Sequence, residues 1–108
     1  MLENLCAITL YKKYGSAIYY FNRNIEVDFY VPDEGLAVQA CYRMSDKATL
    51  EREIKALVAM NSLYPLTKAM IVTYEDEGVM ERDGLKIEIV PVWKWVLNGV
   101  TKASQKTT

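Results

Sequence analysis

Apolar and polar positions alternate along this chain with two different periods, and the switches between them mark out the elements. Residues Leu2 to Tyr14 carry Leu2, Leu5, Cys6, Ile8 and Leu10 around more than one face, which predicts a well-buried helix. Lys12 and Lys13 fall in its last turn, where cations suit the helix dipole, and Gly15 supplies the stop. The period then shortens. Ala17 to Asn22 is rich in β-branched and aromatic residues, Asn22-Arg23-Asn24 is a turn signal, and Ile25 to Val31 alternates. In that second strand Ile25, Val27, Phe29 and Val31 are expected on one face, and Glu26, Asp28 and Tyr30 on the other. Pro32-Asp33-Glu34-Gly35 turns the chain into a third strand, Leu36 to Tyr42, so apolar that it reads as central. These three strands predict an antiparallel meander.

Ser45 or Asp46 can cap a second helix from about Lys47 to Asn61, with Leu50, Ile54, Leu57 and Val58 as its apolar stripe. Leu63-Tyr64-Pro65 ends it, and Lys68 to Tyr74 is a fourth strand. Strand, helix, strand is a crossover unit, so the fourth strand is expected parallel to the third. After the acidic turn Glu75-Asp76-Glu77-Gly78, the stretch from Val79 to Val90 predicts a small hairpin leading into a fifth strand. Pro91 closes it, and Val92 to Leu97 reads as a short helix whose tryptophans pack on the sheet. The organisation expected is one domain over residues 1–98 and a polar tail over 99–108.

Composition narrows the chemistry. There is no histidine, which removes histidine-based acid–base catalysis, serine–histidine triads and most zinc sites. Cys6 and Cys41 have no metal-ligand spacing and read as buried thiols of a reducing compartment. With 13 basic and 14 acidic residues, the chain lacks the basic excess of an autonomous nucleic-acid binder. No Gly-x-x-x-x-Gly-Lys-Ser/Thr loop occurs, so no ATPase activity of its own is expected. No apolar run spans a bilayer and no signal-peptide pattern opens the chain, so a cytoplasmic location is expected.

One constellation remains. Asp28 on the second strand and Gln39 on the third can lie side by side across a tight turn, and Gln39 shares a face with Cys41. If that face coincides with the one carrying Glu26 and Asp28, five residues line it: Glu26, Asp28, Gln39, Cys41 and Arg43. The segments Leu2-Glu3-Asn4-Leu5, Glu26-Val27-Asp28-Phe29-Tyr30-Val31, Val38-Gln39-Ala40-Cys41-Tyr42, Glu51-Arg52-Glu53, Ile71-Val72-Thr73 and Ile89-Val90-Pro91-Val92-Trp93-Lys94-Trp95 follow in a telling order. In that order and spacing the chain resembles the PD-(D/E)xK, or restriction-endonuclease-like, superfamily. More narrowly it resembles the C-terminal domain of prokaryotic AAA-type ATPases. The resemblance implies an α/β (α+β) core in the order α-β-β-β-α-β with a mixed central sheet, then a small hairpin strand and a short helix.

It also implies site positions. Glu3 matches the acidic residue of the first helix, Asp28 the metal-binding aspartate, Gln39 the second metal ligand, and Cys41 the lysine position. In such a site magnesium, a hard cation, takes carboxylate and carbonyl oxygens and activates water, while lysine stabilises developing negative charge. Glutamine offers an oxygen without charge, and cysteine offers no cation at all. Arg43, Lys12, Lys13 and Lys55 are the cations that could stand in. The reading is therefore a catalytically degenerate nuclease-like domain with no cofactor, or weak magnesium at Glu3, Asp28 and Gln39 if the site works. DNA reached through a larger assembly, a protein partner or a second copy are the partners expected. The alternatives are an active magnesium-dependent nuclease with a displaced cation, and a purely structural interaction domain. The resemblance also implies sequence upstream of Met1, so a fragment is expected.

Overall fold

A computed structural model of the protein describes residues 2–15, 19–22 and 25–97, the 19–22 segment by its backbone. The expected 99–108 tail and the start of the expected 17–22 strand lie outside the described residues. The elements are α1 (Leu2–Tyr14), β1 (Tyr19–Asn22), β2 (Glu26–Val31), β3 (Leu36–Ala40), α2 (Lys47–Leu63), β4 (Lys68–Thr73), β5 (Gly78–Arg82) and β6 (Leu85–Pro91), with a helical stretch at 92–97. The fold is mixed α+β. Its sheet runs β1-β2-β3-β4-β6-β5, antiparallel at both edges and parallel through β3, β4 and β6. The expected β3–α2–β4 crossover is present, and β6 joins β4 in parallel after the β5 hairpin.

Local chemistry sets the joints. Asp46 caps α2, its carboxylate accepting from the Thr49 N–H and hydroxyl. α2 runs two residues further than expected, to Leu63, before Tyr64 turns extended ahead of Pro65. Gly35 ends the Pro32–Glu34 turn with φ 58°, a left-handed conformation that costs glycine least. A side chain there would also meet Thr67 Oγ1 at 2.6 Å. The Gly35 carbonyl accepts from the N–H groups of Thr67 and Lys68, so this turn fixes the start of β4 against β3.

The sheet buries both faces. On one side Ile54, Leu57 and Met60 of α2 pack on Ala37, Ala69, Ile71 and Ile87. On the other, Leu2, Cys6 and Leu10 of α1 pack on Val31, Val38, Met70 and Val72. Three expectations are corrected here. α1 buries one face alone: Leu5, Ile8 and Tyr11 stay exposed because the sheet covers only the side carrying Cys6 and Leu10. Trp95 packs against the α1-side core, but Trp93 is exposed. Finally, β2 does not alternate throughout. Val27 faces α2, whereas Phe29 and Val31 face α1.

A bulge causes that last change. β1 pairs Tyr19 with Tyr30 and Phe21 with Val27, so Asp28 and Phe29 together oppose Tyr20 alone. One extra residue flips the side-chain phase of the strand and bends it. Its position, at Asp28, is where the sequence places its candidate site.

Candidate functional site

The β2–β3 ladder is regular from Val31 and Leu36 to Phe29 and Val38. The next pair would be Asp28 and Gln39, and there the side chains take over from the backbone. Gln39 Oε1 accepts from the Asp28 N–H at 2.8 Å. Gln39 Nε2 donates to the Glu26 carbonyl at 3.1 Å and, more distantly, to the Glu53 carbonyl of α2 at 3.4 Å. In return Asp28 Oδ2 accepts from the Ala40 N–H at 2.8 Å. The Gln39 amide thus stands in for a peptide group, one acceptor and one donor, where bulged β2 has moved out of ladder register. Gln39 is fully buried, and such a group is tolerated only when its hydrogen bonds are made. Among the described residues no buried side-chain nitrogen or oxygen lacks a partner.

Acidic groups gather around this clip. Asp28 lies just past the end of the β2–β3 ladder, where its charge acts on Cys6 of α1 and on Glu53 of α2. Burial pushes the Asp28 carboxyl above its ordinary value; the Ala40 N–H opposes the shift, and the charges of Glu3 and Glu26 reinforce it. Burial also pushes Glu53 up, to about 7, helped by Asp28, Glu3 and Glu26 and opposed by Arg52. Cys6 is pushed up to about 12, by burial first and then by Asp28 and Glu3. Each shift favours the protonated form of its group, and at Cys6 thiolate chemistry is disfavoured.

The expected site residues are therefore only partly assembled. Asp28 and Gln39 are joined by hydrogen bonds. Glu3, exposed in the first turn of α1, reaches them through its field. Cys41 is buried on the α2 side, its thiol donating to the Arg43 carbonyl at 3.4 Å, and burial and the Glu53 charge raise its pKa. The cations proposed as substitutes lie elsewhere: Lys12, Lys13 and Lys55 are exposed, and the Arg43 guanidinium lies over the Tyr42 ring at 5.6 Å. Glu53 is the residue that sequence reasoning missed as a member of the site. Its place beside Arg52 on a polar helix face hid it, although it sits one residue before the buried Ile54, a position that turns partly inward.

The donor set does not fit magnesium as the side chains stand. Among the described residues no three Asp, Glu or Cys groups are placed to share a metal ion. Electrostatic coupling extends over several ångströms, whereas magnesium needs ligands at about 2.1 Å in near-octahedral order. Gln39 Oε1 is already turned to the Asp28 N–H.

No family model matches the chain, and no solved structure matches it. It is similar to an uncharacterised protein, MJ1544, of Methanocaldococcus jannaschii, with 37% identity over 109 residues covering 90% of this chain and 24% of the relative. The chain thus spans about a quarter of the length of the curated relative it matches. Among the described residues no helix is long and apolar enough to cross a membrane.

Proposed function

We propose that this chain is a catalytically degenerate nuclease-like domain of the PD-(D/E)xK class, with a restriction-endonuclease-like core. It serves as an accessory module, DNA-associated or oligomer-forming, in a cytoplasmic AAA-type ATPase. One observation carries the reading: the amide of Gln39 is spent on the fold. A carboxylate at 39 could accept from the Asp28 N–H but could not donate to the Glu26 and Glu53 carbonyls. Glutamine is thus the residue the clip needs, in a place where the nuclease resemblance wants a charged ligand. Support also comes from the element order α1-β1-β2-β3-α2-β4, from the neutral thiol of Cys41 in the lysine position, and from the small share of the longer relative that the chain spans.

The test is a cleavage assay with the purified chain, plasmid and linear DNA, and magnesium or manganese. No nicking above that of Asp28→Ala is expected. Cleavage that Asp28→Ala abolishes would replace this reading with its alternative, an active magnesium-dependent nuclease. That alternative is favoured by the mutual field of Glu3, Glu26, Asp28 and Glu53, an anionic cluster that a cation would relieve. A purely structural interaction role is favoured by the exposed Leu5, Ile8 and Tyr11 of α1; it predicts no DNA binding even at low salt.

A further inference from the structure

The other notable surface lies outside the carboxyl ends of β3 and β4. These strands are parallel neighbours joined by the α2 crossover. The chain leaving β3 enters α2 on one face of the sheet, while the chain leaving β4 passes to β5 at the sheet's far edge. Between these two outgoing segments a crevice opens. Here it is lined by Tyr42, Arg43, Ser45, Tyr74, Glu75 and Asp76.

Its walls are built rather than accidental. Pairing continues one step past the strands, with the Cys41 N–H donating to the Val72 carbonyl and the Tyr74 N–H to the Tyr42 carbonyl. That register sets the Tyr42 and Tyr74 rings side by side, centroids 5.2 Å apart and only 8° from parallel. Asp76 Oδ2 accepts from the Met44 N–H at 2.8 Å, and the Thr73 hydroxyl donates to the Asp76 carbonyl, so the two loops are tied together across the crevice. Yet both rings are more than half exposed, Tyr42 at 54% and Tyr74 at 53%. A stacked aromatic pair left half exposed gives up burial that a core position would provide.

We propose that this crevice is a nucleobase-binding site, with the Tyr42–Tyr74 stack as the platform for one base. The choice of a base over other planar groups rests on the nucleic-acid reading above. Tyrosine faces stack on any base. Arg43, whose guanidinium lies over the Tyr42 ring, is the cation of the crevice that one phosphate could draw away from that ring, and the exposed Glu75 carboxylate can accept from a base amino group or a ribose hydroxyl. Glu75 and Asp76 beside a single arginine disfavour a phosphate-driven mode, so stacking carries the affinity. The base could arrive on a single strand or as a free nucleotide.

Calorimetric titration of the chain with AMP and with an oligo-dA strand tests this. Binding of at least one ligand is expected, weakened roughly ten-fold or more in Tyr74→Ala and unchanged in Tyr74→Phe. The salt slope of strand binding should be shallow, about −0.7, as for one phosphate contact. AMP binding that matches the strand identifies a free-nucleotide site; strand binding alone identifies a single-strand site. Equal affinity in wild type and Tyr74→Ala, or no binding of either ligand, would overturn the proposal. Strand binding that persists in Tyr74→Ala with a steep salt slope removes this site but leaves a DNA-associated domain. AMP binding that Tyr74→Ala abolishes, without strand binding, keeps the site and removes that role.

Discussion

The parallel centre of the sheet and the margin of its β2–β3 ladder, where Asp28 and Gln39 meet, solve the same problem differently. Between β3, β4 and β6 every register pair is regular, from Leu36 with Lys68 to Thr73 with Pro91, and the side chains between the helices are almost wholly apolar. At the margin the ladder stops at Phe29 and Val38, and two polar side chains finish it. The centre owes its stability to burial, which tolerates small losses of volume. The margin owes its geometry to four directed hydrogen bonds, which do not tolerate the loss of an atom that makes them. A polar pair that looks like a ligand set in sequence can therefore be the means by which a bulged strand stays attached.

The contrast should be sharpest at Gln39. Gln39→Leu leaves the Asp28 N–H and the Glu26 carbonyl without these partners, an expected loss of about 3 kcal/mol in denaturant unfolding. Ile71→Val, in the dry centre, should cost about 1 kcal/mol. Asp28→Ala frees only the Ala40 N–H and should fall between them, at about 1–2 kcal/mol. Because Asp28 and Gln39 share one network, the double variant should cost less than the sum. Equal costs at Gln39 and Ile71 would break the comparison.

A smaller and opposite effect is expected at Glu53. Its folded pKa, about 7, lies above the ordinary 4.5, so its folded state holds the proton more tightly than its unfolded state. The favourable contribution is complete below pH 4.5 and is lost as pH rises through 7. Glu53→Gln should therefore leave stability unchanged at pH 4 and raise it at pH 8, by about 1 kcal/mol after allowance for solvent screening. Thermal melts across pH read this directly, and a pH-independent difference would show that charge is not the cause.

Much of the fold was legible in the sequence because period and punctuation agree. Gly15, Pro32 to Gly35 and Pro65 fall at or beside element ends, and the β3–α2–β4 crossover follows from strand, helix and strand in that order. The bulge was not legible. Ile25, Val27, Phe29 and Val31 alternate without fault, and nothing in their chemistry shows that β1 supplies one residue where β2 supplies two. Asp28 and Gln39 were found as neighbours, but their roles depend on which atoms face which, and that follows from the bulge. Glu53 escaped because burial of one carboxylate on a charged helix face is set by the sheet beneath it. Trp93 and Leu5 misled in the other direction, since apolar character alone does not say which face has a partner.

The central claim is that Gln39 is a structural amide and that, as the proposed function has it, Asp28 and Gln39 hold no metal. A magnesium and manganese titration followed by the melting temperature of the wild type and of Asp28→Asn tests it most directly. Asparagine keeps an acceptor for the Ala40 N–H while removing the charge. The prediction is flat melting curves at millimolar metal for both proteins. A saturable rise in the wild type that Asp28→Asn abolishes would contradict the claim and restore Asp28 as a working ligand.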